Sequence, residues 1–188
     1  MSKTITAPNT ECWDPVNERF IYKKGGRIVI EHSLVSISKW ESKWKVHFLG
    51  NDKITPEQFI DYIKCMTITQ NVNEEVYEAI SYSKECLEEI AKYIEDPMTA
   101  TTVNERMLGG KGGGYRANKI ITSEQIYAWM CILKIPFECQ KWHINRLLML
   151  IKVVSIEKQP PKKMNPREAM AQQRSLNAAR RAKHHSRG

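Results

Sequence analysis

The residues that most resemble a chemical motif are MLGGKGGGYRA, starting at Met107, in which five glycines surround Lys111. Such a stretch could cradle a phosphate, so its register was compared with the known loops. A P-loop requires a hydroxyl residue directly after its lysine to hold Mg²⁺, and a glycine five positions before the one preceding that lysine. Here Gly112 follows Lys111, and Glu105 stands where the first glycine belongs. A dinucleotide loop must leave a strand and open a helix, yet Gly112-x-Gly114-x-x-Ala117 follows ERMLGGK, which has no strand pattern. The stretch therefore reads as a connector or hairpin tip, because glycine-dense segments are entropically costly to order.

Cys139 and His143 stand four apart on a segment with helical patterning. That spacing makes half of a zinc site, or a nucleophile beside its base. A second ligand pair is missing, as are an oxyanion loop and an orienting acid. The expectation is a buried thiol and a partnered core histidine, with no metal, no cofactor and no catalytic residues. The carboxylates of NEEVYEAI and KECLEEIAKYIED fall on polar helix faces and read as solvated. Trp40 and Trp44 share one helical face inside KWESKWK. Spacing places them in a core first, and the flanking lysines make a half-exposed docking face the competing expectation.

The elements that would position these residues are mostly helices. Residues 1–18 are polar and Pro-punctuated, and read as a flexible N-terminal segment. RFIY and RIVIEH, on either side of Gly25-Gly26, predict a β-hairpin over 19–32. Helix starts follow at Ser38-x-x-Glu41, at Thr55-Pro56-Glu57-Gln58, at Asn73, at Ser83 and at Thr122-x-x-Gln125. FECQKWHINRLLMLIKVV predicts one strongly apolar helix at the centre of the core. The fold class expected is mainly α: a compact helical domain over 19–158, with the small N-terminal hairpin and a Gly-rich loop at 107–118. A detached basic helix or tail occupies 159–188.

Five scattered cysteines without C-x-x-C spacing suggest reduced thiols of a cytoplasmic protein. No apolar run approaches the roughly 18 residues of a membrane span. The charge is unevenly placed. From Pro161 onward eight cationic residues face Glu168 alone, a net +7 of the chain's +8, which leaves the first 160 residues near neutral. The tail could be a solvated end, a helix that docks on a protein partner, or a nucleic-acid arm dominated by phosphate neutralisation. Its lack of Phe, Tyr and Trp weakens the last of these.

Several stretches in order, IEHSLVSISKWESKW, DYIKCMTITQNV, YIEDPMTATT, IITSEQIYAWM, IPFECQKWHINRLLMLIKV and QPPKKMNPREAM, resemble a family of small proteins from the tail-gene region of tailed bacteriophages. The resemblance implies a tail assembly chaperone: a non-catalytic, mostly helical protein of the infected cell's cytoplasm. It would engage the tape-measure protein and tail-tube subunits without remaining in the virion. The partner-binding residues it implies are Trp40, Trp44, Arg167, Arg174, Arg180 and Arg181. A nucleic-acid-binding accessory protein and a permanent virion component are the alternatives.

Overall fold

A computed structural model of the chain describes residues 2–14, 17–102, 120–158 and 166–184. The Gly-rich loop at 107–118 lies outside them. The chain forms two units, residues 1–157 and 158–188. The fold is mainly α with a small antiparallel β part, as the periodicities predict.

The β part corrects two sequence expectations. Most of the segment 1–18, expected to be flexible, is strand: Lys3–Ala7 (β1) and Thr10–Asp14 (β2). The runs either side of Gly25-Gly26, Arg19–Lys23 (β3) and Gly26–Ile30 (β4), do not pair with each other across a glycine turn. They form one arm, which lies antiparallel to the N-terminal arm. Lys3 stands opposite Ile30 and Ala7 opposite Gly26, then Thr10 opposite Lys23 and Asp14 opposite Arg19. The register is the same on both sides of the break, so this is one long ribbon interrupted at Pro8-Asn9 and Lys24-Gly25. Glycine is required at the break for room: a Cβ on Gly25 would lie 2.2 Å from the Ala7 carbonyl oxygen and 2.5 Å from the Pro8 carbonyl carbon. The Gly25 N–H donates to Asn9 Oδ1 at 2.9 Å, which holds the two arms together where the ladder stops.

Ile5, Ala7, Ile28 and Ile30 turn the near half of the ribbon into the core. The chain then enters the helices Leu34–Trp44 (α1), Pro56–Met66 (α2), Glu74–Tyr82 (α3) and Lys84–Glu95 (α4). Three of their starts are those the sequence signals. Thr55 and Gln58 cap α2 reciprocally, Asn73 caps α3 and Ser83 caps α4. The first start lies further upstream than Ser38. Ser33 and Ser36 exchange side-chain and backbone hydrogen bonds and open α1 at Leu34.

Glu41, read from sequence as the end of a capping box, instead ties two segments together from inside the protein. Its Oε1 accepts from the Phe48 N–H at 2.9 Å, and its Oε2 accepts from the Ser123 N–H at 2.7 Å. Ser123 opens helix Ser123–Leu133 (α5), whose own N-cap residue, Thr122, makes no side-chain cap. A carboxylate from α1 thus satisfies an orphan donor at the start of α5.

The continuous helix expected over FECQKWHINRLLMLIKVV is broken. Phe137–Lys141 is a 3₁₀ turn, and Ile144–Glu157 (α6) starts after an extended Trp142 and His143. The cause is tertiary: His143 bridges Ser33 in antiparallel fashion, and the Ile144 N–H donates to the His32 carbonyl at 2.9 Å. Those backbone groups are satisfied by the ribbon's exit rather than by a helical turn. Of α6, Ile144, Leu147 and Ile151 are buried, a single stripe. The centre of the core lies instead between α1 and α2, where Phe48 stacks on Tyr62 at 3.9 Å and Trp40 meets Phe48 edge-on at 5.3 Å. Each such ring contributes roughly 1.5–3 kcal/mol by leaving water.

The second unit contains helix Pro166–His184 (α7). Its described side chains are exposed, Asn177 alone being half-buried.

Candidate interaction surface

The residues picked from sequence as a nucleophile or metal pair belong to the frame. Cys139 is buried on the 3₁₀ turn, and burial pushes its thiol up from its ordinary pKa. His143 is 1% exposed, and both of its ring nitrogens are engaged. Nε2 faces the Tyr93 carbonyl at 2.9 Å, which requires it to carry the proton, and Nδ1 accepts from the Asn145 N–H at 3.4 Å. Its ring stands 5.0 Å from that of His32, whose Nδ1 pairs with the Tyr62 hydroxyl. Burial, and then the neighbouring His143, push His32 down to about 3; burial also lowers His143. Two neutral, buried imidazoles with Tyr62, Tyr93 and Ser36 around them form a polar cluster inside the core. Among the described residues no group of three or more His, Cys, Asp or Glu side chains gathers in a metal-holding arrangement. No helix among them is long and apolar enough to cross a membrane.

Trp40 and Trp44 do not share an exposed face: Trp40 is sealed, and Trp44 is half-buried. Trp40 is 0% exposed, and its indole N–H donates to the Gln58 carbonyl at 2.8 Å. Trp44 is half-buried, with its indole N–H on Asp61 Oδ2 at 2.8 Å. It forms one wall of an open cleft of about 360 Å³ between α1, α2 and α3. The cleft's two lysines are already engaged: Lys43 pairs with Asp61 and Lys64 with Glu74, each also lying over an aromatic ring. Neither charge is left over for a guest.

Three exposed aromatic residues gather on the far half of the ribbon, while Tyr82 and Phe137 are exposed singly on other elements. Residues alternate along β2 and β3, and one face carries Cys12, Ile21 and Lys23, all half-buried. That face lies against α3, where Lys23 Nζ reaches Glu78 at 2.5 Å. The other face carries Trp13, Phe20 and Tyr22, which are 52%, 67% and 62% exposed. Trp13 and Phe20 stand directly opposite each other in the ladder, with rings 5.1 Å apart and edge-on. In the near half α3 lies against the side of Gly26, whose Cβ would meet Val76, and in the far half it lies against the Cys12, Ile21 and Lys23 side, which leaves the aromatic side bare. With aromatic side chains of roughly 150–250 Å² each, the bare part amounts to on the order of 300–400 Å², in the range where an exposed patch on a single chain is commonly functional. Sequence reasoning missed this patch because it took Trp13 for part of a loose leader. The available signal was the alternation of TECWD against RFIYK.

The basic helix is the second accessible feature. Arg167, Arg174, Arg180 and Arg181 are all exposed on α7, as expected. No protein-family model matches the chain, and neither does any curated protein or solved structure.

Proposed function

We propose that this chain is a non-catalytic interaction protein of phage tail morphogenesis, an assembly chaperone that engages tape-measure and tail-tube proteins in the host cytoplasm. The observation that carries the interaction reading is the bare aromatic face of Trp13, Phe20 and Tyr22, three exposed rings gathered on one side of the ribbon. Large rings held rigidly on a β-ribbon lose little conformational entropy on docking and are typical anchors of binding energy. The tail-assembly part of the reading comes from the resemblance of the sequence stretches quoted above. The cationic α7 offers a second, electrostatic contact that holds a client reversibly.

Co-expression with tail proteins of the same phage, followed by affinity capture, tests the reading. A stable complex is expected with the natural chain. Trp13→Ser combined with Phe20→Ser should weaken it about tenfold or more while leaving the helical circular-dichroism signal intact. Full capture by the double variant would remove the ribbon face as the anchor. Capture of no tail protein by the natural chain would end the chaperone reading. The nucleic-acid alternative draws on the net +7 of the tail. It requires binding that falls steeply with added salt.

A further inference from the structure

Helix α7 distributes its charge in a pattern. Arg167, Arg174 and Arg181 are seven residues apart and all exposed. Seven residues are close to two turns, so the three arginines leave the helix in a single file, their backbone positions about 10.5 Å apart and spanning about 21 Å. Between them on the same side lie Ala171 and Ala178, with exposed Met170 and half-buried Asn177 alongside. Arg180 stands about a third of a turn away from this file.

We infer that this side of α7 is a docking strip for an acidic α-helix whose carboxylates recur every seven residues. The methyl-sized Ala171 and Ala178 let a second helix approach closely, and the arginines beside them reach its carboxylates in fork geometry. A seven-residue repeat on one helix stays aligned with a seven-residue repeat on another only when the two wind together, as in a coiled coil. The charge fits: α7 carries five cationic residues against Glu168 alone. A phosphate chain would gain nothing from an alanine floor between the arginines, and α7 has no Phe, Tyr or Trp for a base to stack on. This inference deepens the proposed function by giving the chemistry of one client segment.

The test uses the full chain and two labelled helical peptides of identical composition. One carries Glu at every seventh position on an alanine-rich background, and the other has the same glutamates spread around the helix. A single-stranded and a duplex DNA of similar charge complete the set, with fluorescence anisotropy as the readout. The in-register peptide should bind at least about tenfold tighter than the scattered one. Arg174→Gln should weaken it about three- to fivefold, and Arg180→Gln less than twofold, with α7 helicity unchanged. Equal affinity for both peptides, equal effects of the two substitutions, absence of peptide binding, or tighter binding of either DNA would each overturn the strip. Co-expression capture separates this outcome from the broader reading. A tail-protein complex that Arg174→Gln leaves intact sinks the strip alone. Register-specific peptide binding without any tail-protein complex sinks the chaperone reading and keeps the strip.

Discussion

At the scale of single residues, the most consequential groups are polar ones sealed inside the helical unit. His32 and His143 are held neutral, His32 at about 3 and His143 also lowered, both chiefly by burial. In the unfolded chain a histidine titrates near 6.5, so between about 6.5 and 3 the unfolded state binds the proton that the folded His32 refuses. Stability is therefore complete above pH 6.5 and falls as pH drops below it. At pH 5 the loss from His32 alone is about 2 kcal/mol, and His143 adds to it in the same direction. Urea unfolding at pH 7 and pH 5 measures this, and equal stabilities at the two pH values would contradict a neutral buried pair. The spacing of Cys139 and His143 in the sequence is that of half a metal site or of a nucleophile beside its base. What the histidines provide is a joint: His32 is held by Tyr62 and by the backbone of Ile144, so the ribbon's exit, α2 and the start of α6 meet at one point.

Among the elements, the ribbon carries the anchor of the proposed function. Its near half is a core strand pair and its far half presents aromatic rings, and the break at Pro8-Asn9 and Lys24-Gly25 is what separates the two. Substituting Gly25→Ala places a methyl group against the Ala7 carbonyl and Pro8 backbone, so the arms must part there. A cost of about 2 kcal/mol is expected, with hydrogen-exchange protection lost first in β2 and β3. Unchanged protection of those strands would show that the break accommodates a side chain. The helices were the more legible elements, because Thr55, Asn73 and Ser83 cap through contacts three residues or fewer away. Thr122 carried the same kind of signal and does not cap; Glu41, 82 positions before Ser123, supplies that contact. A cap that arrives through space leaves no local pattern.

For the molecule as a whole, the chain divides between residues 157 and 158. Among the described residues, the buried apolar ones run from Ile5 to Ile151 and all belong to the first unit. Ending the chain after Glu157 should therefore shift the thermal midpoint of the first unit by less than about 3 °C, corresponding to under about 1 kcal/mol. A thermal melt followed by circular dichroism reads this out. A loss of ten degrees or more would mean that the basic unit contributes to the fold. Under the proposed function, the same truncation keeps the aromatic anchor and removes the cationic contact.

The sequence by itself determined the mainly α class, the starts of α2, α3 and α4, the separate basic helix and the failure of the glycine stretch to match a phosphate loop. Each of these rests on short-range spacing or on composition, which a linear chain displays in full. Only the tertiary structure decided which strands pair, that Trp40 is sealed and Trp13 bare, that a helix breaks at Trp142 and that Glu41 caps a distant segment. Those outcomes depend on which surface meets which in space. An apolar alternation looks the same whether another element covers it or, as in the far half of the ribbon, nothing in the described chain does.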